Sequence, residues 1–86
     1  MKTAIVYRTL ARSLKPDYEQ DNYNESNEPQ FEVCLFSDGS VAQRWLTPSG
    51  SYVWWQSWQQ LCDVHIYAHP DYGTVVEWSD GIREEL

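Results

Sequence analysis

The stretch of sequence that decides the fold is Phe31–Leu46, FEVCLFSDGSVAQRWL. Its two halves are rich in apolar and β-branched residues, and they flank an Asp-Gly pair that suits the positive-φ positions of a two-residue type I′ turn. This pattern predicts a β-hairpin in which Leu35 faces Ala42. A turn with a G1 bulge would shift the pairing by one residue, so the register has one alternative.

The two-residue turn divides the side chains of this hairpin between two faces. The face predicted to lie in the core carries Phe31, Val33, Leu35, Ala42 and Leu46. The opposite face, predicted to be half-buried, carries Glu32, Cys34, Phe36, Val41, Gln43 and Trp45. The hairpin is therefore expected to pack one side against the rest of the protein.

Beyond the hairpin, the sequence predicts a third strand and then a helix. The strand is Ser51–Trp55. Ser57 and Gln60 match a capping box, in which the serine accepts a hydrogen bond from a backbone amide of the first helical turn. One face of the helical wheel that follows holds Trp58, Leu61, Cys62, His65, Ile66, Ala68 and His69. This periodicity predicts an amphipathic helix of roughly three turns that ends before Pro70. The alternative for residues 64–68 is a strand, because Val, Ile and Tyr favour sheets.

A second Asp-Gly turn lies near the C-terminus. A last strand is predicted over Thr74–Trp78, and the tripeptide Ser-Asp-Gly then recurs at a 42-residue offset from its first occurrence. A second hairpin with a two-residue turn would place Glu77 opposite Glu84, a like-charge pair that sheets disfavour. The residues after Gly81 are therefore predicted to form a short tail.

The N-terminal part combines a strand with a long acidic loop. Residues 3–9 are rich in β-branched and aromatic side chains and predict a strand, which residues 10–15 extend or follow with a short helical turn. Residues 16–29, PDYEQDNYNESNEP, hold five acids and no aliphatic residue, which predicts a surface loop. Loops of this length are often functional or mobile. Residues 1–86 are thus expected to form one small α+β domain. It is an antiparallel sheet of about five strands with one amphipathic helix packed on one face, in the order β-β-β-β-α-β.

The charge of the chain is unevenly distributed. Six Lys and Arg against thirteen Asp and Glu give a formal net charge of −7, which argues against direct binding of nucleic acid or of an anionic membrane. Residues 1–15 carry four of the cations and no acid, so residues 16–86 carry 2 − 13 = −11. The simpler interpretation is that the basic N-terminal segment packs on the acidic remainder. The alternative is that the two poles mark a docking surface.

Composition also bears on compartment and chemistry. The apolar run after Lys2 is four residues long, too short for a secretory signal, and two cysteines are too few for a disulfide framework. These features predict a cytoplasmic protein whose Cys34 and Cys62 are buried thiols, with a single disulfide as the alternative. No nucleophile elbow, phosphate-binding glycine loop or zinc-protease motif is present, so the sequence predicts neither an enzyme nor a cofactor.

The predicted helix supports a different class of function as an alternative. Cys62, His65 and His69 lie on its inward face and are residue types that bind zinc, with a fourth ligand from Asp71 or Cys34. A neighbouring carboxylate could equally orient one of the histidines in a small ligand-binding domain or enzyme. The structural interpretation is that Cys62 and His65 pack in the core and that His69 interacts with the helix C-terminus.

The aromatic residues support the leading hypothesis. Trp54 and Trp55 are neighbours in a strand and point to opposite faces, so at least one is expected to be exposed, and exposed aromatic residues anchor protein partners. We predict a small non-enzymatic interaction module that binds a basic protein, as an inhibitor or a nucleic-acid mimic. The predicted contact residues are Asp17, Tyr18, Glu19, Asp21, Tyr23, Glu25, Glu28, Trp54 and Trp55.

Small acidic proteins of phages and mobile elements, including anti-CRISPR and anti-restriction proteins, use this kind of mimicry. The chain resembles them in size and charge, without a shared motif. A structural homo-oligomer is the remaining alternative, because an exposed Trp also suits contact between copies.

Overall fold

A computed structural model describes all 86 residues as an antiparallel sheet with one main helix packed on it. The strands are β1 (Lys2–Arg8), β2 (Phe31–Leu35), β3 (Val41–Trp45), β4 (Ser51–Trp55), β5 (Thr74–Trp78) and β6 (Arg83–Glu85). The helices are α1 (Asp17–Gln20) and α2 (Trp58–His65), and a single 3-10 turn spans Arg12–Leu14. The strand order is β4-β3-β2-β1-β5-β6, so β1 lies in the middle of the sheet. The predicted α+β class is confirmed, with six strands instead of about five.

The β2–β3 hairpin has the alternative register. Leu35 pairs with Val41, one residue away from the predicted partner Ala42. The cause is the turn: Gly39 adopts a φ of +89° and its amide donates to the Phe36 carbonyl at 3.0 Å. This is a type I turn followed by a glycine bulge, and the extra residue shifts the strand that follows.

The shifted register corrects the predicted faces of β3. Phe31 and Val33 are buried as predicted, but their neighbours on the core face are Val41, Gln43 and Trp45. Ala42 lies on the opposite face with Cys34, because side chains alternate along a strand. Leu46, predicted to lie in the core, follows the end of the strand.

The C-terminal residues form a strand, so the predicted tail is wrong. The second Asp-Gly turn repeats the geometry of the first: Gly81 has a φ of +91° and its amide donates to the Trp78 carbonyl at 2.9 Å. The resulting register pairs Glu77 with Arg83 instead of Glu84, and the two side chains form an ion pair. The bulge thereby removes the like-charge contact that argued against a second hairpin.

Helix α2 begins where the capping box predicts. The Ser57 hydroxyl accepts from the Gln60 amide at 3.1 Å, and the Gln60 side chain accepts from the Gln56 amide at 2.9 Å. The helix spans eight residues, fewer than the roughly three turns predicted, and the alternative of a strand over residues 64–68 is wrong. Its inward side packs on the sheet in a core of Ala4, Val6, Phe31, Val33, Val41, Leu61, Cys62, Ile66, Val76 and Trp78.

Candidate partner-binding surface

The acidic loop is held to the body of the protein by Arg12. The Arg12 Nη1 group donates hydrogen bonds to the backbone carbonyls of Gln20 and Tyr23, at 2.9 and 2.8 Å. The same guanidinium forms ion pairs with Asp21 at 3.5 Å and Glu25 at 3.4 Å. One basic side chain therefore fixes the path of the loop and neutralises two of its acids.

A pair of amide side chains anchors the far end of the loop. The Gln30 Nε2 group donates to the Asn24 carbonyl at 2.8 Å, and the Gln30 Oε1 atom accepts from the Asn24 amide at 3.2 Å. The Asn24 Nδ2 group donates to the carbonyls of Pro29 and Leu46, at 2.8 and 3.1 Å. Gln30 is fully buried, so this network positions the start of β2. No sequence motif indicated it.

Helix α1 presents the most exposed aromatic ring of the loop. Tyr18 is 83% exposed. Asp17 beside it is exposed, Glu19 is half-buried, and neither carboxylate takes part in an ion pair within the chain. We call Asp17, Tyr18 and Glu19 the α1 surface. It joins a free aromatic ring to unpaired negative charge.

The remaining loop residues among the predicted contacts have different surroundings. Tyr23 is half-buried, with its ring centroid 6.3 Å from that of Tyr72 and 5.4 Å from the Lys15 Nζ atom. Glu28 is exposed, and its carboxylate accepts the Glu25 amide at 3.4 Å. Tyr23 thus contacts the body of the protein, while Glu28 is the acid of the loop's second half that no cation neutralises.

The two adjacent tryptophans have opposite environments, as alternation along β4 predicts. Trp54 is 71% exposed and its ring stacks on Phe36, with centroids 5.8 Å apart. Trp55 is half-buried, donates from Nε1 to Gln43 Oε1 at 2.8 Å, and meets the ring of His65 edge-on at 5.4 Å. Trp54 is therefore exposed to a partner, whereas Trp55 packs against the core.

The face of the sheet away from α2 is open. Tyr52, which sequence reasoning did not single out, is 73% exposed there beside Trp54. A shallow groove of about 530 Å³ runs from Tyr52 past Ala42 to Ile5. The alternation of β4 could have predicted Tyr52, since residues 52 and 54 share a face.

The α1 surface and the exposed tryptophan lie at opposite ends of the sheet. Trp54 pairs with Ala42, which is level with Cys34 and Thr3, near the start of β1. The loop that carries α1 instead follows the end of β1. The structure therefore does not bring all the predicted contact residues together, and it defines two separate surfaces.

The helix residues considered for metal binding pack in the core or against aromatic rings. Burial raises the pKa of the Cys62 thiol to about 11, and burial lowers the pKa of His65 to about 4. The His65 ring meets Trp45 edge-on at 5.0 Å, and the His69 ring stacks on Tyr72 at 4.4 Å. No three His, Cys, Asp or Glu side chains of the chain are grouped as metal ligands.

The two cysteines are free thiols. Cys62 points into the core between the helix and the sheet, and Cys34 lies half-buried on the open face. The sheet itself separates them, so the single disulfide that the sequence left open does not form.

The basic N-terminal segment meets the acidic remainder in part. Lys2 forms an ion pair with Asp80 at 3.5 Å, and Arg12 holds the loop acids described above. Arg8 is buried and Lys15 lies over the rings of Tyr23 and Tyr72, and neither forms an ion pair. Half of the four cations are thus neutralised within the chain.

These features define a small acidic α+β domain with two exposed aromatic surfaces and no helix of the length and apolarity needed to cross a bilayer. Residues 31–81 match a protein family described as Acb5 phage protein. The match covers more than half of the 86 residues, from β2 to the second Asp-Gly turn, so the chain belongs to the Acb5 phage protein family. No curated protein and no solved structure matches the chain.

Proposed function

We propose that this phage protein is a non-enzymatic inhibitor that binds a basic protein of the host cell through the α1 surface. The observation that carries the proposal is Tyr18, an 83% exposed aromatic residue between two carboxylates that no cation of the chain neutralises. The partner would act in the cytoplasm, in keeping with the free thiols of Cys34 and Cys62.

The α1 surface combines two properties that suit a basic partner. The acidic loop steers a cationic surface into contact, and a tyrosine then supplies apolar area and a hydroxyl at little cost in conformational entropy. Where the natural ligand of the partner is nucleic acid, Asp17 and Glu19 would occupy the positions of phosphates. Binding of this kind requires neither a cofactor nor a catalytic group.

The test is capture of host proteins on the immobilised full chain at low and at high salt. We expect a basic protein that is retained at low salt and released as ionic strength rises. Tyr18→Ala should weaken its binding at least tenfold, as expected for an anchor residue. Asp17→Asn with Glu19→Gln should lower the rate of association and flatten the salt dependence.

A charge-matched control separates a local contact from a general effect of acidity. Asp63→Asn with Glu85→Gln removes the same number of negative charges from exposed positions on α2 and β6. This control should bind like the unmodified chain. The proposal fails if both double variants weaken capture equally, or if the captured protein is indifferent to salt.

A second candidate, self-association through β4, has its own observation. β4 is an edge of the sheet and contains no charged residue and no proline, whereas the opposite edge strand, β6, consists of Arg83, Glu84 and Glu85. Uncharged edges pair readily with another strand, and a charged edge resists it. Two copies paired antiparallel about Val53 would place Tyr52 of one copy opposite Trp54 of the other.

Sedimentation of the full chain over a range of concentrations tests this candidate. Dimerisation should weaken in Trp54→Ala and persist in Leu14→Ala, which truncates an exposed apolar residue elsewhere. A monomer at every concentration would rule out self-association. Neither variant should change capture of a basic partner through α1, so the two candidates are separable.

A further inference from the structure

A buried arginine at the end of β1 has no carboxylate partner. Arg8 is 5% exposed, and the ion pairs of the chain involve only its other cations, Lys2, Arg12, Arg44 and Arg83. Burial lowers the pKa of Arg8, but a guanidinium remains charged in proteins. A buried charge is costly unless an opposite charge or several hydrogen bonds accompany it.

The protein itself compensates this charge incompletely. The Arg8 Nη2 group donates to the His65 carbonyl at 2.7 Å, at the negative end of the α2 dipole. The guanidinium carbon also lies 5.1 Å from the ring centroid of Tyr72 and 5.3 Å from that of Trp45. These contacts orient the group, but the Nε atom is buried without any hydrogen-bond partner.

Arg8 lines a cavity that opens between the acidic loop and the turn before β4. The cavity has a volume of about 290 Å³, and its lining includes Arg8, Asn22, Tyr23, Gln30, Thr47 and Ser49 but no Asp or Glu. The side chains of Asn22, Thr47 and Ser49 make no hydrogen bond within the protein, and all three residues line the cavity. In a chain of net charge −7, this cavity is lined by a cation and by neutral donors.

A second cation adds to the local positive potential. The Lys15 Nζ atom lies 5.1 Å from the centroid of the Tyr72 ring, which the Arg8 guanidinium also contacts. Lys15 forms no ion pair either. Two cations therefore share one aromatic ring, and neither forms an ion pair within the chain.

We propose that this cavity binds a small oxyanion, a phosphate or carboxylate group, on the Arg8 guanidinium. The planar fork of an arginine matches both groups, and the hydroxyls of Thr47 and Ser49 would hydrogen-bond the remaining oxygens. The cavity is slightly smaller than sites for drug-sized molecules. It therefore fits a free anion or the acidic end of a larger ligand. This site is distinct from the α1 surface and does not depend on it.

The test is an NMR titration of the full chain that follows the Arg8 Nε–H signal. Inorganic phosphate and acetate are added separately, with sodium chloride at matched ionic strength as the reference. We expect the Arg8 signal and the Thr47 and Ser49 amides to shift along one saturating curve, with a Kd of about 1 mM. Saturation by phosphate alone or acetate alone identifies the group bound, and saturation by both supports a general oxyanion site. If neither anion saturates these signals, the proposal is overturned.

Variants show whether the binding is at this cavity. Arg8→Lys keeps the charge but loses the fork, and should weaken binding about tenfold or more. Thr47→Ala with Ser49→Ala should weaken anion binding about fivefold while leaving Arg8 in the core. This double variant therefore tests the site even if Arg8→Lys does not fold. Lys2→Gln removes a cation at the other end of β1 and should leave the affinity unchanged. Equal affinity in the Thr47 and Ser49 double variant would overturn the proposal.

Discussion

The imidazole of His65 lies among the rings of Phe31, Trp45 and Trp55. Burial lowers its pKa to about 4, and the nearby charge of Arg8 acts in the same direction. The ring is therefore neutral in the folded protein near pH 7. The backbone carbonyl of the same residue accepts a hydrogen bond from Arg8. Protonating this histidine would put a second cation beside one that already lacks a partner.

The pH dependence of stability should report this histidine. The unfolded chain binds a proton near the ordinary pKa of about 6.5, whereas the folded chain does so near 4. Between these values the unfolded state holds more protons, so the free energy of unfolding falls as the pH falls. We expect a loss of about 1 kcal/mol between pH 7 and pH 5, after allowance for a half-exposed ring. Urea unfolding at both pH values measures it.

In His65→Gln this loss should disappear, and in His69→Gln it should persist. The comparison concerns the change with pH in each variant and not its absolute stability. The same change in all three proteins would contradict the assignment to His65.

The two thiols should differ sharply in reactivity. Cys62 is 1% exposed with a pKa raised by burial to about 11, so only about one molecule in a thousand carries its thiolate at pH 8. Cys34 lies half-buried on the open face. Iodoacetamide at pH 8 should add one group, at Cys34, as measured by mass spectrometry. Folded Cys34→Ser should resist alkylation and react fully once unfolded in urea, and rapid modification of the folded variant would contradict the burial of Cys62.

At the scale of elements, the two turns FSDGS and WSDGI are built alike. In the first, Asp38 accepts from the Ser40 amide at 2.9 Å, and in the second Asp80 accepts from the Ile82 amide at 3.1 Å. The Ser40 hydroxyl, which also donates to Asp38, lowers the pKa of that carboxyl group most and the Ser40 amide adds to it, while the Ile82 amide lowers the pKa of Asp80. A glycine with positive φ completes each turn.

Substitution of the first turn glycine should destabilise the protein. Gly39→Ala forces a residue with a side chain into a φ of +89°, which costs about 1–2 kcal/mol even though the space around it is open. Ser37→Ala, at an exposed position in the same turn, should change stability by less than about 0.5 kcal/mol. Chemical denaturation of both variants provides the measurement. Equal stabilities would show that the glycine conformation is not required.

The sequence was informative where local chemistry decides the structure. The capping box located the start of α2, and the Asp-Gly pairs located both turns. The register was not predictable, because a two-residue turn and a bulged turn both use Asp-Gly and differ by one residue. Because of that single ambiguity, Ala42 was predicted on the wrong face of the hairpin and β6 was predicted to be a tail.

The candidate surfaces were only partly predictable for a related reason. The five acidic residues of the loop indicated a candidate surface, and the alternation of side chains along β4 predicted that at least one Trp is exposed. Which acids remain free depends on Arg12, whose four contacts reach across the loop. The cavity beside Arg8 depends on tertiary packing of segments that are distant in sequence, and nothing local to Arg8 indicates it.

At the scale of the whole molecule, the charge of −7 should make the folded state sensitive to salt. The ion pairs lie at the surface, where each contributes little, so repulsion among the unpaired acids outweighs them. Raising sodium chloride from 0.05 to 0.5 M should therefore raise the free energy of unfolding by about 0.5 kcal/mol, or the Tm by ~2–4 °C. A lower Tm at high salt would mean that the internal ion pairs dominate.

The central position of β1 has a consequence for how the chain reaches its fold. Ala4 pairs with Trp78, and these residues are 74 positions apart in sequence. During synthesis β1 must therefore wait for β5 before the sheet can close, and pairings of such long range are slow to form. Until then the edge of β1 that pairs with β5 stays unpaired in the nascent chain. A ribosome-bound chain truncated before β5 should therefore be sensitive to proteases. A longer ribosome-bound chain, in which β5 has emerged from the ribosome, should be resistant.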